Sequence, residues 1–64
     1  MTKELYEFAC AVYYMRKAQI EYNRLRYSQD VQKRGEAGEN MREMQKQVDE
    51  QIEDIITQYE MECL

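Results

Sequence analysis

The feature that most constrains this fold is a pair of glycines, Gly35 and Gly38, the only ones in a 64-residue chain without proline. Glycine is favoured at helix ends and tight turns because it adopts left-handed backbone conformations at no steric cost. Charge divides at the same place: residues 1–34 carry seven Lys/Arg against four Asp/Glu, and residues 35–64 carry two against nine. We therefore expect two oppositely charged helices that attract each other across a glycine turn.

Residues that favour helices, mainly Ala, Leu, Met, Glu, Gln, Lys and Arg, dominate the composition. The sequence therefore predicts an all-α fold, a two-helix antiparallel hairpin forming a single domain over residues 1–64. We expect a first helix over about 3–34, a turn over about 35–39 and a second helix over about 40–62.

Capping residues support these bounds. Thr2 is the expected N-cap of the first helix, and Asn40 with Glu43 has the spacing of a capping box for the second. The polar run 28–30 is an alternative, earlier end for the first helix.

The two helices carry different apolar patterns. The second has one stripe, at a spacing that holds its members on one face: Met41, Met44, Val48, Ile52, Ile55 and Tyr59. The first helix instead has apolar residues on several faces, with Met15 and Tyr22 on one side and Tyr13 and Ile20 nearly opposite. One partner helix cannot cover all of these faces, and so small a core rarely supplies more than about 3–5 kcal/mol. We therefore predict a homo-oligomeric helical bundle with the first helix at its centre.

Composition argues against several function classes. No histidine is present to activate Cys10 or Cys63 or to complete a zinc site, so we expect a non-enzyme with no metal and no cofactor. The two cysteines are expected at similar heights in the hairpin, and free thiols are favoured over a disulfide. The longest apolar run, 8–15, is too short for a bilayer span, which predicts a cytoplasmic protein without membrane contact. The net charge of −4 disfavours nucleic acid as a partner.

One polar line on the first helix is the candidate ligand-binding site. It continues the face of Phe8 and Val12 and, with a tyrosine on the neighbouring face, comprises Arg16, Gln19, Tyr22, Asn23 and Arg26. Guanidinium groups bind phosphate bidentately, Gln and Asn can hydrogen-bond a nucleobase edge, and tyrosine can stack on a base.

The position of this line depends on the turn. A hairpin turning near residue 37 would set Gln19 level with Ile55 and Arg26 level with Val48. The alternative reading of the line is a solvated face, or a polar network with Asp49, Glu50 and Glu53.

The chain also shows a resemblance. The run 15–19, followed by Tyr22, Arg24 and Arg26 and later by the run 48–50, resembles a pattern in small proteins of phages and mobile elements from gut bacteria. That resemblance covers about half of the chain and implies a phage or accessory-gene origin. Small phage proteins of this kind often counter host defence, and one class forms helical oligomers that sequester nucleotide signals, which is an analogy of class.

Three functions follow as hypotheses. The first is a phage-type accessory protein, a homo-oligomeric hairpin that binds and sequesters a small nucleotide-type, anionic immune signal. The second is an inhibitor or adaptor that presents the acidic second helix, with Asp49, Glu50, Glu53 and Asp54, to a basic host protein. The third is a purely structural oligomer.

Overall fold

The computed structural model describes residues 2–63 and contains two α-helices, α1 (Lys3–Leu25) and α2 (Val31–Glu62). The helices pack against each other as an antiparallel pair, and the chain measures 53 × 22 × 12 Å along its principal axes. The prediction of an all-α, two-helix hairpin is confirmed. Neither helix of the described residues is long and apolar enough to cross a membrane.

Each helix begins at a side-chain cap. Thr2 accepts a hydrogen bond from the Leu5 amide at 3.1 Å, so the predicted cap of α1 is confirmed. At α2 the cap is Asp30, whose carboxylate accepts from the Lys33 amide at 3.1 Å. Caps of this kind satisfy backbone donors that the first turn of a helix leaves without partners.

The predicted turn is wrong. The chain turns over residues 26–30, and the range 35–39 lies inside α2. The physical reason is that Ser28 and Asp30 bond the backbone here: the Asp30 amide donates to the Ser28 hydroxyl, and the Asp30 carboxylate caps α2. These bonds set the beginning of α2. The two glycines do not interrupt the helix, because each glycine inside a helix costs only about 1 kcal/mol. Both glycines have negative φ.

The early turn also changes the register between the helices. The Tyr22 ring lies 3.4 Å from the position that a Cβ on Gly38 would occupy, so these two residues are level. Gln19 is therefore not level with Ile55, and Arg26 lies in the turn instead of beside Val48. Asn40, the predicted second cap, lies in the interior of α2.

The same register separates the two cysteines. Cys10 is half-buried and Cys63 is exposed, and both are free thiols. With Tyr22 level with Gly38, Cys10 is level with residues near 50. Cys63 then lies about 20 Å further along α2, at 1.5 Å per residue, so the expectation of similar heights is wrong.

The buried core is small and lies towards the turn. The buried residues among 2–63 are Ala18, Gly38 and Val48, and the two with side chains are 5% and 3% exposed. Small side chains at these positions let the helix backbones approach closely. We call residues 13–48 the turn half and residues 2–12 with 49–63 the open half. Every buried residue lies in the turn half.

The net charge differs more between the two halves than between the two helices. The turn half carries eight Lys/Arg against five Asp/Glu, and the open half carries one against eight. By helix, α1 carries four against three and α2 carries four against nine. The expected attraction between a basic and an acidic helix is therefore replaced by a charge difference along the long axis of the hairpin.

Candidate anion-binding flank

A shallow groove of about 290 Å³ runs along one flank of the turn half. Its lining consists of one α1 residue and five α2 residues: Tyr22, Val31, Arg34, Gly35, Gly38 and Arg42. The α2 residues recur at intervals of three and four, which holds them on one side of the helix. The groove therefore has an aromatic ring on one wall and two guanidinium groups on the other.

Gly38 forms the floor of this groove. The nearest atoms to a Cβ placed there would be Nη1 of Arg42 and Cε2 of Tyr22, each at 3.4 Å. Because Gly38 lacks a side chain, the Tyr22 ring reaches α2. Arg34 is held at the turn end, where its Nη1 donates a part-buried hydrogen bond to the Ser28 carbonyl oxygen at 3.2 Å.

Helical periodicity places the predicted polar line beside this groove. Tyr14, Lys17 and Glu21 line the opposite flank of the hairpin, together with Asn40 and Met44 of α2. The other side of α1, about 120–160° around the axis from Lys17 and Glu21, carries Gln19 and Asn23. The predicted line and the groove therefore share one flank.

The five predicted residues occupy this flank unequally. Tyr22 lines the groove and is half-buried, and Gln19 is also half-buried. Arg16 and Asn23 are exposed at the outer margin of α1. Arg26 lies at the C-cap of α1, where its guanidinium stacks 4.7 Å from the Tyr27 ring centroid and donates to the Tyr27 hydroxyl at 2.7 Å. The structure does not enclose the five residues in one pocket.

We define the arginine flank as the predicted line together with the two arginines of the groove. Its members are Arg16, Gln19, Tyr22, Asn23, Arg26, Arg34 and Arg42. Sequence reasoning missed Arg34 and Arg42 because it ended the first helix at residue 34 and began the second at 40. The signal that could have found them is Asp30 as a cap, since Arg34, Gly38 and Arg42 then follow at intervals of four on one helix face.

Among residues 2–63, no carboxylate forms an ion pair with a guanidinium group of this flank. Among residues 2–63 the ion pairs are Lys3 with Glu7 at 3.9 Å and Arg24 with Glu21 at 2.6 Å. The bond from Arg24 lowers the pKa of Glu21, and Glu21 in turn raises the pKa of Arg24. Arg16, Arg26, Arg34 and Arg42 therefore form no ion pair among residues 2–63, although Arg42 also borders a groove with Asp49, Glu50 and Glu53.

The alternative network with the acidic residues of α2 does not form. No hydrogen bond or ion pair among the described residues joins Arg16 or Gln19 to Asp49, Glu50 or Glu53. The register explains this, because Arg16 is level with residues near 44, short of the acidic run.

Comparison of the chain with protein-family models, curated proteins and solved structures finds no match.

Proposed function

We propose that this protein is a homo-oligomeric helical hairpin that binds and sequesters a small phosphorylated anion on the arginine flank. The observation that carries the proposal is the groove in which Arg34 and Arg42 face Tyr22, two guanidinium groups that form no ion pair among residues 2–63. Guanidinium groups bind phosphate oxygens bidentately and stay charged at any physiological pH.

The neighbouring side chains favour a nucleotide over a free phosphate. Tyr22 offers a ring at the groove, and tyrosine stacks on nucleobases. Gln19 and Asn23 carry both donors and acceptors and can hydrogen-bond a base edge. The resemblance of the run 15–19 to small phage proteins supports a role against host defence, in which a nucleotide signal is held away from its receptor.

Self-association is supported by the shortage of core. Only Ala18 and Val48 are buried hydrophobic residues among the described part of the chain. Many large apolar side chains stay more than half exposed, including Ile20 at 64% and Tyr59 at 68%. Hydrophobic burial is the main driving force of folding, and chains this small usually recruit a second chain to supply it.

The test is calorimetric titration of the purified protein with pyrophosphate and with a panel of cyclic and ADP-ribose-type nucleotides. Arg42→Ala should weaken binding about 10-fold or more, the usual worth of a charge-assisted bond. Lys46→Ala is the matched control, because it removes the same charge from an exposed position one turn further along α2, and it should change affinity less than about twofold. Equal losses in both variants, or no binding by the unaltered protein, would refute the proposal.

A protein-binding role through the open half is the second candidate. It is favoured by an apolar and acidic surface in which Ile55 and Ile56 are about half exposed beside Asp54. Such a surface suits a basic partner, and the complex should weaken strongly with salt. Reversing the charge of Asp49, Glu50, Glu53 and Asp54 together should abolish binding to a host protein. Unchanged binding would exclude this role.

A further inference from the structure

A second apolar stripe runs along the outer side of α1, and its side chains are largely exposed, although Ile20 also borders a groove with Asn40 and Met44. Its members recur at intervals of seven: Tyr6, Tyr13 and Ile20 lie within α1, and Tyr27 follows in the turn. They are 61%, 54%, 64% and 82% exposed. A seven-residue apolar repeat is the pattern of a helix that packs along another helix, because it returns nearly to the same face at each repeat.

This stripe faces away from α2. Ala18 is buried and Tyr22 reaches Gly38, so both lie on the side of α1 that contacts α2. Ile20 is two residues from each of them, which places it about 200° around the helix axis. The stripe therefore cannot be covered by the chain's own second helix.

We propose that a second copy of the chain covers this stripe, with the two α1 helices antiparallel and related by a two-fold axis. Charge argues for this occupant and this direction. The turn half has a net charge of +3 and the open half one of −7, so an antiparallel pair brings opposite charges together and a parallel pair brings like charges together. A two-fold pair also closes on itself, with the same surface used by both copies.

The two-fold axis completes the arginine flank. The middle of the stripe lies between Tyr13 and Ile20, at Arg16, so the Arg16 side chains of both copies lie near the axis. A two-fold axis perpendicular to the helix pair keeps the arginine flanks of both copies on the same side. The site for a phosphorylated ligand is then shared, with Arg16 contributed by each copy, and it fits a ligand with two anionic groups. This step rests on the proposed function.

Sedimentation velocity tests whether two copies of the chain pair through this stripe. The unaltered chain should be a dimer, and Ile20→Glu should be a monomer with nearly unchanged helical circular dichroism, because Ile20 is 64% exposed within its own chain. Thr57→Glu is the control: it adds the same charge to an exposed position on α2 and should stay dimeric. A monomeric unaltered chain, or dimeric Ile20→Glu, would overturn the proposal.

Spin-label distances test the direction. Labels are attached to Lys3→Cys or Gln29→Cys in a background with Cys10→Ala and Cys63→Ser. An antiparallel dimer gives about 35–40 Å between copies labelled at the same site, since about 26 residues of helix separate the two ends, and a much shorter distance in a mixture of the two. Short distances between like-labelled copies would show a parallel pair and refute the inference.

Pyrophosphate titration separates this inference from the proposed function. A shared site binds one pyrophosphate per dimer, and Ile20→Glu should lose at least 10-fold in affinity although its arginines are intact. Binding to that variant at full affinity, one per chain, would overturn the shared site and leave the anion-binding function standing. A dimer that does not bind pyrophosphate or any nucleotide of the panel would instead refute the proposed function, and the proposed dimer interface would still stand.

Discussion

The turn half and the open half contain the same two helices, yet among residues 2–63 only the turn half contains fully buried residues. In the turn half Ala18, Gly38 and Val48 are buried, and the Tyr22 ring reaches across to α2. In the open half the apolar stripe of α2 continues at Ile52 and beyond, but those side chains are 38% exposed or more. An apolar stripe on one helix therefore does not ensure burial. The partner helix must offer small or apolar side chains at the same level.

The facing side chains explain the difference. In the open half Glu4 and Glu7 of α1 share a groove with Asp54 of α2, so carboxylates from both helices meet where a core would have formed. Like charges facing each other oppose close approach, and buried carboxylates need partners. In the turn half, the buried Gly38 and Ala18 lie between the helices in place of carboxylates.

The largest effect expected from this comparison is a loss of stability whose size depends on which half carries the substitution. Val48→Asp places a charge without a partner at a site that is 3% exposed and should cost about 3 kcal/mol or more, enough to unfold so small a domain. Ile56→Asp makes the same kind of change at 51% exposure and should cost less than about 1 kcal/mol. Thermal melts followed by circular dichroism measure both. Similar losses would mean that the open half is as well packed as the turn half.

The two N-caps should also contribute unequally to the free energy of unfolding, and the cap in the turn half should contribute more. Asp30→Ala removes the bond to the Lys33 amide at the closed end and should lower the unfolding free energy by about 1 kcal/mol. Thr2→Ala removes an equally long bond to the Leu5 amide, but the first turn of α1 frays and the loss should be smaller. Urea titration of both variants measures the ordering, and a greater loss at Thr2 would reverse the comparison.

Replacing a glycine with alanine should instead raise the free energy of unfolding, by a smaller amount. Gly35 lies within α2, and no atom is within 4 Å of the position that a Cβ there would occupy, so Gly35→Ala should stabilise the protein by about 0.5–1 kcal/mol. Gly38→Ala should gain less, because its new methyl group meets Tyr22 and Arg42 at 3.4 Å. Destabilisation by Gly35→Ala in the same urea titration would indicate a turn at the glycines.

The smallest effect concerns pH. Arg24 lowers the pKa of Glu21 below its ordinary value of 4.5, so the pair stabilises the folded state above that value and the contribution is lost as the pH falls through the lowered pKa. Both side chains are exposed, which keeps the contribution slight. Glu21→Gln should melt a little below the unaltered protein at pH 7, and the difference should shrink as the pH falls through the lowered pKa of Glu21. A difference that persists at low pH would assign the effect to something other than the ion pair.

Much of the architecture was predictable from the sequence. Helix-forming composition and the apolar stripe on the second helix predicted an all-α hairpin, and Thr2 was correctly assigned as a cap. The turn was not predictable from glycine alone, because a glycine in a helix costs little and the bonds of Ser28 and Asp30 compete with it. The interpretation of the run 28–30 as an earlier helix end pointed to the observed turn.

The candidate site was predictable in part for the same reason. The α1 residues of the arginine flank follow from helical spacing, which holds whichever turn is used. The position of Arg34 and Arg42 beside these residues depends on the register between the helices. The predicted turn gave a different register, so the two arginines were not assigned to the site. The position of the turn therefore decides both the packing and the composition of the site.

Amide hydrogen exchange, resolved by residue with NMR, tests the position of the turn most directly. The structure requires slow exchange across Gly35 and Gly38, inside a helix that begins at Val31, and faster exchange at Gln29 in the turn. It also requires faster exchange after Ile52 than around Val48. Fast exchange over 35–39 together with protection over 26–30 would show a long first helix ending at the glycines, and it would contradict the packing, the register and the arginine flank together.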